Sequence, residues 1–208
     1  SSSNKKCKIF HASSSEMFAP SDLPLDENSP MKGNSPYALG KLENHKKIKE
    51  LASNKEINVF SGIMFNHESE FRENNYLTSK IINTAFKIYK KREDKLIIGS
   101  LDYVRDWSFA GDIMEAASIL TFNDAKGSYV LGSGVGKSIK DLVQIVFSYF
   151  NLDWDKYVVV DNSLLRSGDP KIKISDPSKI LNEYGWKTKL SFEDLIERCI
   201  EKKLSVSF

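Results

Sequence analysis

Lys8-Ile9-Phe10-His11-Ala12-Ser13-Ser14-Ser15-Glu16, followed downstream by Ser35-Pro36-Tyr37-Ala38-Leu39-Gly40-Lys41, decides how this chain is read. Lys8 to His11 is expected to be a short strand that runs straight into a Ser-rich turn. Pro36 suits a first helical turn, where its missing N–H costs nothing, and Ser35 offers a capping hydroxyl. The helix it opens is expected to reach about Asn54. A tyrosine and a lysine four apart share one helix face. An ammonium beside a phenol favours the phenolate, which makes tyrosine a usable general base near neutral pH. A hydroxyl at the end of the preceding strand can hydrogen-bond the alcohol that such a base deprotonates. Tyr-x-x-x-Lys alone is a weak signal; a strand ending in Ser-Ser-Ser-Glu ahead of it makes it a strong one.

Outward from there, strand and helix alternate. Ile57 to Phe65 reads as a largely buried strand ending in a polar loop from Asn66 to Asn75. Tyr76 to Lys91 has helical apolar spacing, Leu96 to Ile98 is a short strand, and Asp112 to Phe122 is helical. Tyr129 to Leu131 is a strand, Ser138 caps an amphipathic helix reaching about Phe150, and Tyr157 to Val160 is a further strand. Two helices near 177–184 and 191–203 close the pattern. Residues 18–34 make a long polar loop holding Pro20, Pro24 and Pro30. The alternation predicts an α/β architecture. Leu131-Gly132-Ser133-Gly134-Val135-Gly136-Lys137-Ser138 resembles a phosphate loop, but it is one residue too short between its first glycine and the Gly-Lys pair. It is read as a tight strand-to-helix turn.

Composition narrows the function. A net charge of +2, with no local basic stripe, argues against a nucleic-acid partner. Two distant cysteines, Cys7 and Cys199, in no Cys/His cluster argue for a reducing, cytoplasmic setting and against a structural metal. No apolar run is long enough for a membrane span, and none resembles a signal peptide.

Further segments give a family resemblance. Phe65-Asn66-His67-Glu68-Ser69, then Arg105-Asp106-Trp107, then Asp176-Pro177-Ser178-Lys179 with Gly185-Trp186-Lys187, are similar in order and spacing to the GDP-mannose 4,6-dehydratases, extended short-chain dehydrogenases/reductases. The resemblance implies a partial NAD(P)-binding, Rossmann-like doubly wound sheet plus a smaller C-terminal substrate-binding α/β region. Residues 1–65 would be the C-terminal part of the dinucleotide-binding domain. Residues 66–208 would be mainly substrate-binding, with some segments returning to the sheet. It implies catalysis by Ser14, Glu16, Tyr37 and Lys41, with Tyr37 taking the 4-hydroxyl proton and Glu16 the C5 proton. It implies NADP as cofactor, held by Tyr37, Lys41, His67 and Arg72. GDP-mannose or a related nucleotide sugar would meet Asn66, Lys80, Arg105, Arg166 and Asp169. A homo-oligomer, dimer or tetramer, is implied as well.

The sequence departs from the family in places. The family's Pro-Arg-Arg-Gly is here Glu70-Phe71-Arg72-Glu73, and beyond Arg166 the family's second acid is Lys171. The resemblance begins inside the family's sheet, so the Gly-rich first βα unit that receives the pyrophosphate is expected to be absent, and the chain alone is expected to hold NADP weakly and not to turn over. A GDP-4-keto-6-deoxymannose reductase or a nucleotide-sugar epimerase shares Tyr37 and Lys41, and a non-catalytic sugar-nucleotide-binding fragment is a further alternative. Glu16 favours a dehydratase, because 4-epimerisation needs no base at C5. Locally, Arg105-Asp106 also reads as an ion pair, His67 as a loop histidine bonded to backbone, Glu16 as a solvated acid, and Trp107 and Trp186 as core.

Overall fold

A computed structural model describes residues 8–53, 58–165 and 168–206. The first half runs β1 (Lys8–Ser14), a 3-10 turn (Ser15–Met17), α1 (Pro36–Ser53), β2 (Asn58–Met64), β3 (Asn66–Glu68), α2 (Leu77–Tyr89), β4 (Leu96–Ile98) and β5 (Val104–Phe109). The second half runs α3 (Ala110–Phe122), β6 (Gly127–Leu131), β7 (Gly136–Ser138), α4 (Ile139–Tyr149), α5 (Trp154–Tyr157), β8 (Val158–Val160), β9 (Ile172–Lys173), α6 (Ser178–Tyr184) and α7 (Phe192–Val206).

The first sheet is parallel, in the order β1-β2-β6. A strand covered on both faces needs apolar residues throughout, and β2 is buried from Val59 to Met64. Alternation sorts those side chains. Phe60, Met64, Tyr129 and Leu131 pack with Ile113 and Leu120 of α3 and Ile180 of α6. Ile63 and Val130 face the opposite way, with Leu42 of α1, Met17 and Phe18. Helices therefore cover both faces, as the α/β reading requires.

A second core gathers α2, α4 and α7 around β4 through Ile81, Ala85, Leu96, Val146, Phe147 and Ile196. β5 joins it to the rest. Trp107 of β5 stacks on Phe192 of α7 with ring centroids 5.4 Å apart. β3 and β9 flank β5 in parallel, and β7 lies antiparallel to it. Among the described residues no helix is long and apolar enough to cross a membrane.

Several local expectations need correction. β1 continues through Ala12 and Ser13 to Ser14 rather than stopping at His11, because it keeps its register with β2 to the end. The loop from Asn66 begins as β3, paired with β5. β5 itself was not expected. Its charged residues look unlike a strand until their partners are known: Asp106 is fully buried and Arg105 nearly so. The strand read from Tyr157 to Val160 is β8, which starts one residue later, because Tyr157 ends the short helix α5.

The turn after β6 differs too, since it leads into β7 before α4. The backbone N–H groups of Ser133 and Gly134 donate to the Asp106 carboxylate at 2.9 Å each. A carboxylate of the chain itself thus occupies the donors that a phosphate loop would offer. Gly134 has φ +75°, which favours glycine, and a Cβ on Gly132 would run into Ser175 and Asp106. The loop 18–34 is pinned at its middle. Leu25 N–H donates to the Ile174 carbonyl at 2.9 Å, and Glu27 Oε1 accepts from the Val130 N–H at 2.6 Å.

Candidate active site

Ser14 ends β1, and its hydroxyl accepts the Glu16 N–H at 3.3 Å, capping the 3-10 turn that carries Glu16. On α1 the Ser35 hydroxyl accepts the Ala38 N–H at 3.1 Å, the cap expected from sequence. That start point puts Tyr37 and Lys41 on successive turns, with the Lys41 ammonium 5.7 Å from the Tyr37 ring centroid. Lys41 also donates to the Ala12 carbonyl at 2.9 Å, which ties α1 to the C-terminal end of β1. Ligands in open parallel sheets bind at this end of the strands. Tyr37 stays 58% exposed.

A cleft of about 730 Å³ opens beside this group, lined by Glu16, Asn66, Arg105, Asp169 and Trp107 among others. Ser35 and Ala38 bring α1 to its wall, whereas Ser14, Tyr37 and Lys41 do not themselves line it. Arg105 and Asp106 do not pair with each other, because successive strand residues point to opposite faces. Arg105 bridges Asp169 at 2.8 Å, on the cleft side. Asp106 turns inward to the 133–134 turn and Ser175. Glu16 is no free solvated acid: its Oε1 meets the Lys173 ammonium at 2.5 Å.

A smaller pocket of about 280 Å³ is lined by His67, Ser69, Phe71, Arg72 and Tyr76. Tyr76 lines both cavities. The Arg72 guanidinium lies over the Tyr76 ring, 4.4 Å from its centroid, and its Nε donates to Glu68 Oε2 at 2.8 Å. It also donates to the His67 carbonyl. Burial pushes the Glu68 carboxyl above its usual range, and the Arg72 charge pulls it part of the way back. His67 is held by a hydrogen bond between its Nδ1 and the Phe65 carbonyl at 2.9 Å.

The sequence-derived set is thus brought together in part. Glu16, Asn66, Arg105 and Asp169 share the cleft, and His67 and Arg72 share the small pocket. Lys80 stands apart, its ammonium donating to the Ile97 carbonyl of β4 at 2.8 Å. Arg166 lies outside the described residues. Lys173 and Glu68 were not given site roles from sequence, although both line the cleft. Glu68 was legible as part of Asn66-His67-Glu68-Ser69; nothing local to Lys173 could have revealed it.

The GDP-mannose 4,6 dehydratase family profile matches residues 1–199. GDP-mannose 4,6 dehydratase 2 of Arabidopsis thaliana is 31% identical over 205 residues, covering 99% of this chain and 55% of that protein. GDP-mannose 4,6 dehydratase of Homo sapiens is 26% identical over 211 residues, covering 93% and 57%. The chain spans about half the length of the curated relatives it matches. In fold it is similar to RMD from Pseudomonas aeruginosa complexed with NADPH, at TM-score 0.87 and 17% identity, covering 96% of this chain and 67% of that one. It is also similar to dTDP-glucose 4,6-dehydratase from Bacillus anthracis in complex with NAD, at TM-score 0.84 and 18% identity, covering 95% and 62%. With the family match running along nearly all of its length, the chain belongs to the GDP-mannose 4,6-dehydratase family.

Proposed function

We propose that this chain carries the catalytic and substrate-binding residues of an NADP-dependent dehydratase that converts GDP-mannose, or a related GDP-sugar, to its 4-keto-6-deoxy form. The observation that carries the reading is Glu16, a carboxylate that lines the cleft one 3-10 turn beyond Ser14 and beside the β1 end where Lys41 is anchored. Tyr37 takes the proton of the sugar 4-hydroxyl, and the Ser14 hydroxyl hydrogen-bonds the same oxygen. The ketone so formed acidifies the neighbouring C5 proton, which Glu16 removes and then delivers to the departing 6-hydroxyl as water. Arg105 supplies a cation suited to a diphosphate, and Asn66 an amide on the opposite strand of the same sheet.

The residues present fit NADP. Arg72, fixed by Glu68 and stacked on Tyr76, stands with His67 and Ser69 around one small pocket, a donor set that suits a phosphate. Lys41 and Tyr37 would hold the nicotinamide ribose side. When bound, NADP supplies the acceptor for the C4 hydride and its return to C6. In this reading residues 1–65 belong to the dinucleotide side and residues 66–208 mainly to the substrate side, with β6 returning to the first sheet. The two unpaired-spacing cysteines fit a cytoplasmic setting, and the family resemblance suggests a dimer or tetramer, which sedimentation would resolve.

Mass spectrometry of GDP-mannose incubated with NADP⁺ and the chain, assayed alone and within the longest natural reading frame that contains it, tests the proposal. Loss of one water without net consumption of NADP⁺ supports it. An unchanged sugar nucleotide in both forms sinks it.

A further inference from the structure

Lys173 is 3% exposed, yet its ammonium points into the same cleft as the half-exposed Glu16, whose carboxylate it meets at 2.5 Å. An ammonium taken out of water is costly even when paired, and an apolar side chain of similar length serves stability as well or better. The surroundings make the position rigid. β9 pairs with β5 in register Lys173↔Arg105, Ile174 accepts the Leu25 N–H, and Ser175 bonds Asp106. Two cations, Arg105 and Lys173, therefore stand side by side on the cleft floor. Arg105 is matched by Asp169 and Lys173 by Glu16. The pairing reaches across most of the chain to the residue proposed as the C5 base, and it engages a single oxygen, Oε1.

We infer that Lys173 is a positioning residue for Glu16. It fixes Oε1, so that the other carboxylate oxygen is presented to the C5 hydrogen. This deepens the dehydratase reading and rests on it. In the step concerned, the C5–H bond breaks and its proton passes to Glu16. Its electron pair forms the C4–C5 enolate and then the C5–C6 double bond as the C6–O bond breaks. The proton on Glu16 goes to the departing hydroxide and yields water. Lys173 keeps its protons throughout. The earlier oxidation at C4 does not involve Glu16, so Lys173 acts on water loss alone.

The test uses Lys173→Met and Lys173→Arg in the longest natural reading frame that contains the chain, with GDP-mannose and NADP⁺ followed by rapid-quench mass spectrometry. In the Met variant the species lacking two hydrogens accumulates, and the species lacking water forms at least about tenfold more slowly. The Arg variant recovers most of the rate, and thermal unfolding of both stays close to that of the unmodified protein. Water loss at the unmodified rate in Lys173→Met overturns the inference. So does an equal fall in both species, which would mark a merely structural role. If the unmodified protein forms neither species, the dehydratase reading itself fails and the inference goes with it.

Discussion

Glu16 on the 3-10 turn and His45 on α1 call for opposite tests. Replacing Glu16 by Gln keeps the shape of the cleft and removes the proton acceptor. The expected result is water loss slowed by roughly a hundredfold or more, with C4 oxidation retained, seen as accumulation of the 4-keto hexose by mass spectrometry. Equal water loss in Glu16→Gln would reassign the C5 base. His45 is 2% exposed on α1, with Nδ1 3.4 Å from the Ser61 hydroxyl, which also lies 3.1 Å from His11 Nδ1. Burial, with Lys49 and His11 adding their charge, holds the His45 imidazole down to about 4. The folded state therefore resists protonating it, while the unfolded chain takes up a proton near the ordinary value. Stability present above that ordinary value is lost as pH falls towards about 4, by about 3 kcal/mol at most. Glu68 and Glu27, both raised by burial, act in the opposite sense above the ordinary carboxylate value. The comparison is therefore between proteins: denaturant unfolding at about pH 7 and about pH 4.5 should lose less stability in His45→Met than in the unmodified chain. Identical slopes would show that His45 is not the group responsible.

At the scale of elements, local chemistry was legible and distant chemistry was not. Ser35 and Ser138 announce α1 and α4 because a cap is written within a few residues. The α4 start is a full capping box: the Ser138 hydroxyl accepts the Asp141 N–H at 3.0 Å, and the Asp141 carboxylate accepts the Ser138 N–H at 2.7 Å. Ser138→Ala should cost about 1 kcal/mol in thermal or denaturant unfolding, and an unchanged midpoint would show that β7 holds the helix start without it. Short, nearly continuous apolar runs marked β2 and β6 for the same local reason. β5 escaped because Arg105 and Asp106 break its apolar run, and their partners, Asp169, Ser133 and Ser175, are far away in sequence. The site divides likewise. Tyr37 and Lys41 could be read from one helical turn, and Glu16 from its place after a serine-ended strand. Lys173 is one charged residue between Ile172 and Ile174 and becomes meaningful only when the fold brings it to Glu16.

In the whole molecule, Asp106 is where the parts meet. Its strand carries Trp107 into the α2–α4–α7 core and Arg105 to the cleft, while its own carboxylate reaches the turn that leaves the first sheet after β6. That carboxylate accepts the N–H and hydroxyl of Ser133, the Gly134 N–H, and the N–H and hydroxyl of Ser175, and it is fully buried. Asn at this position keeps the volume but offers one acceptor oxygen, and its amide hydrogens can be taken by the Ser133 or Ser175 hydroxyl but not by the backbone N–H groups beside them. The backbone N–H of Ser133 or that of Ser175 loses its partner whichever way the amide is turned, and charge-assisted bonds are replaced by weaker neutral ones. Asp106→Asn should therefore destabilise by roughly 3 kcal/mol, lowering the thermal midpoint by about 10 °C in a chain of this size. Ser133→Ala removes one donor and leaves the acceptor well supplied, so it should cost nearer to about 1 kcal/mol. Hydrogen exchange locates the effect. In Asp106→Asn the amides of Ser133, Gly134 and Ser175 should lose protection, while those of α2, α4 and α7 keep theirs until global unfolding. A variant with an unaltered midpoint and unaltered protection at these amides would mean that β5 is held by its strand pairing and Trp107 alone, and that the carboxylate does not join the sheet to the cleft.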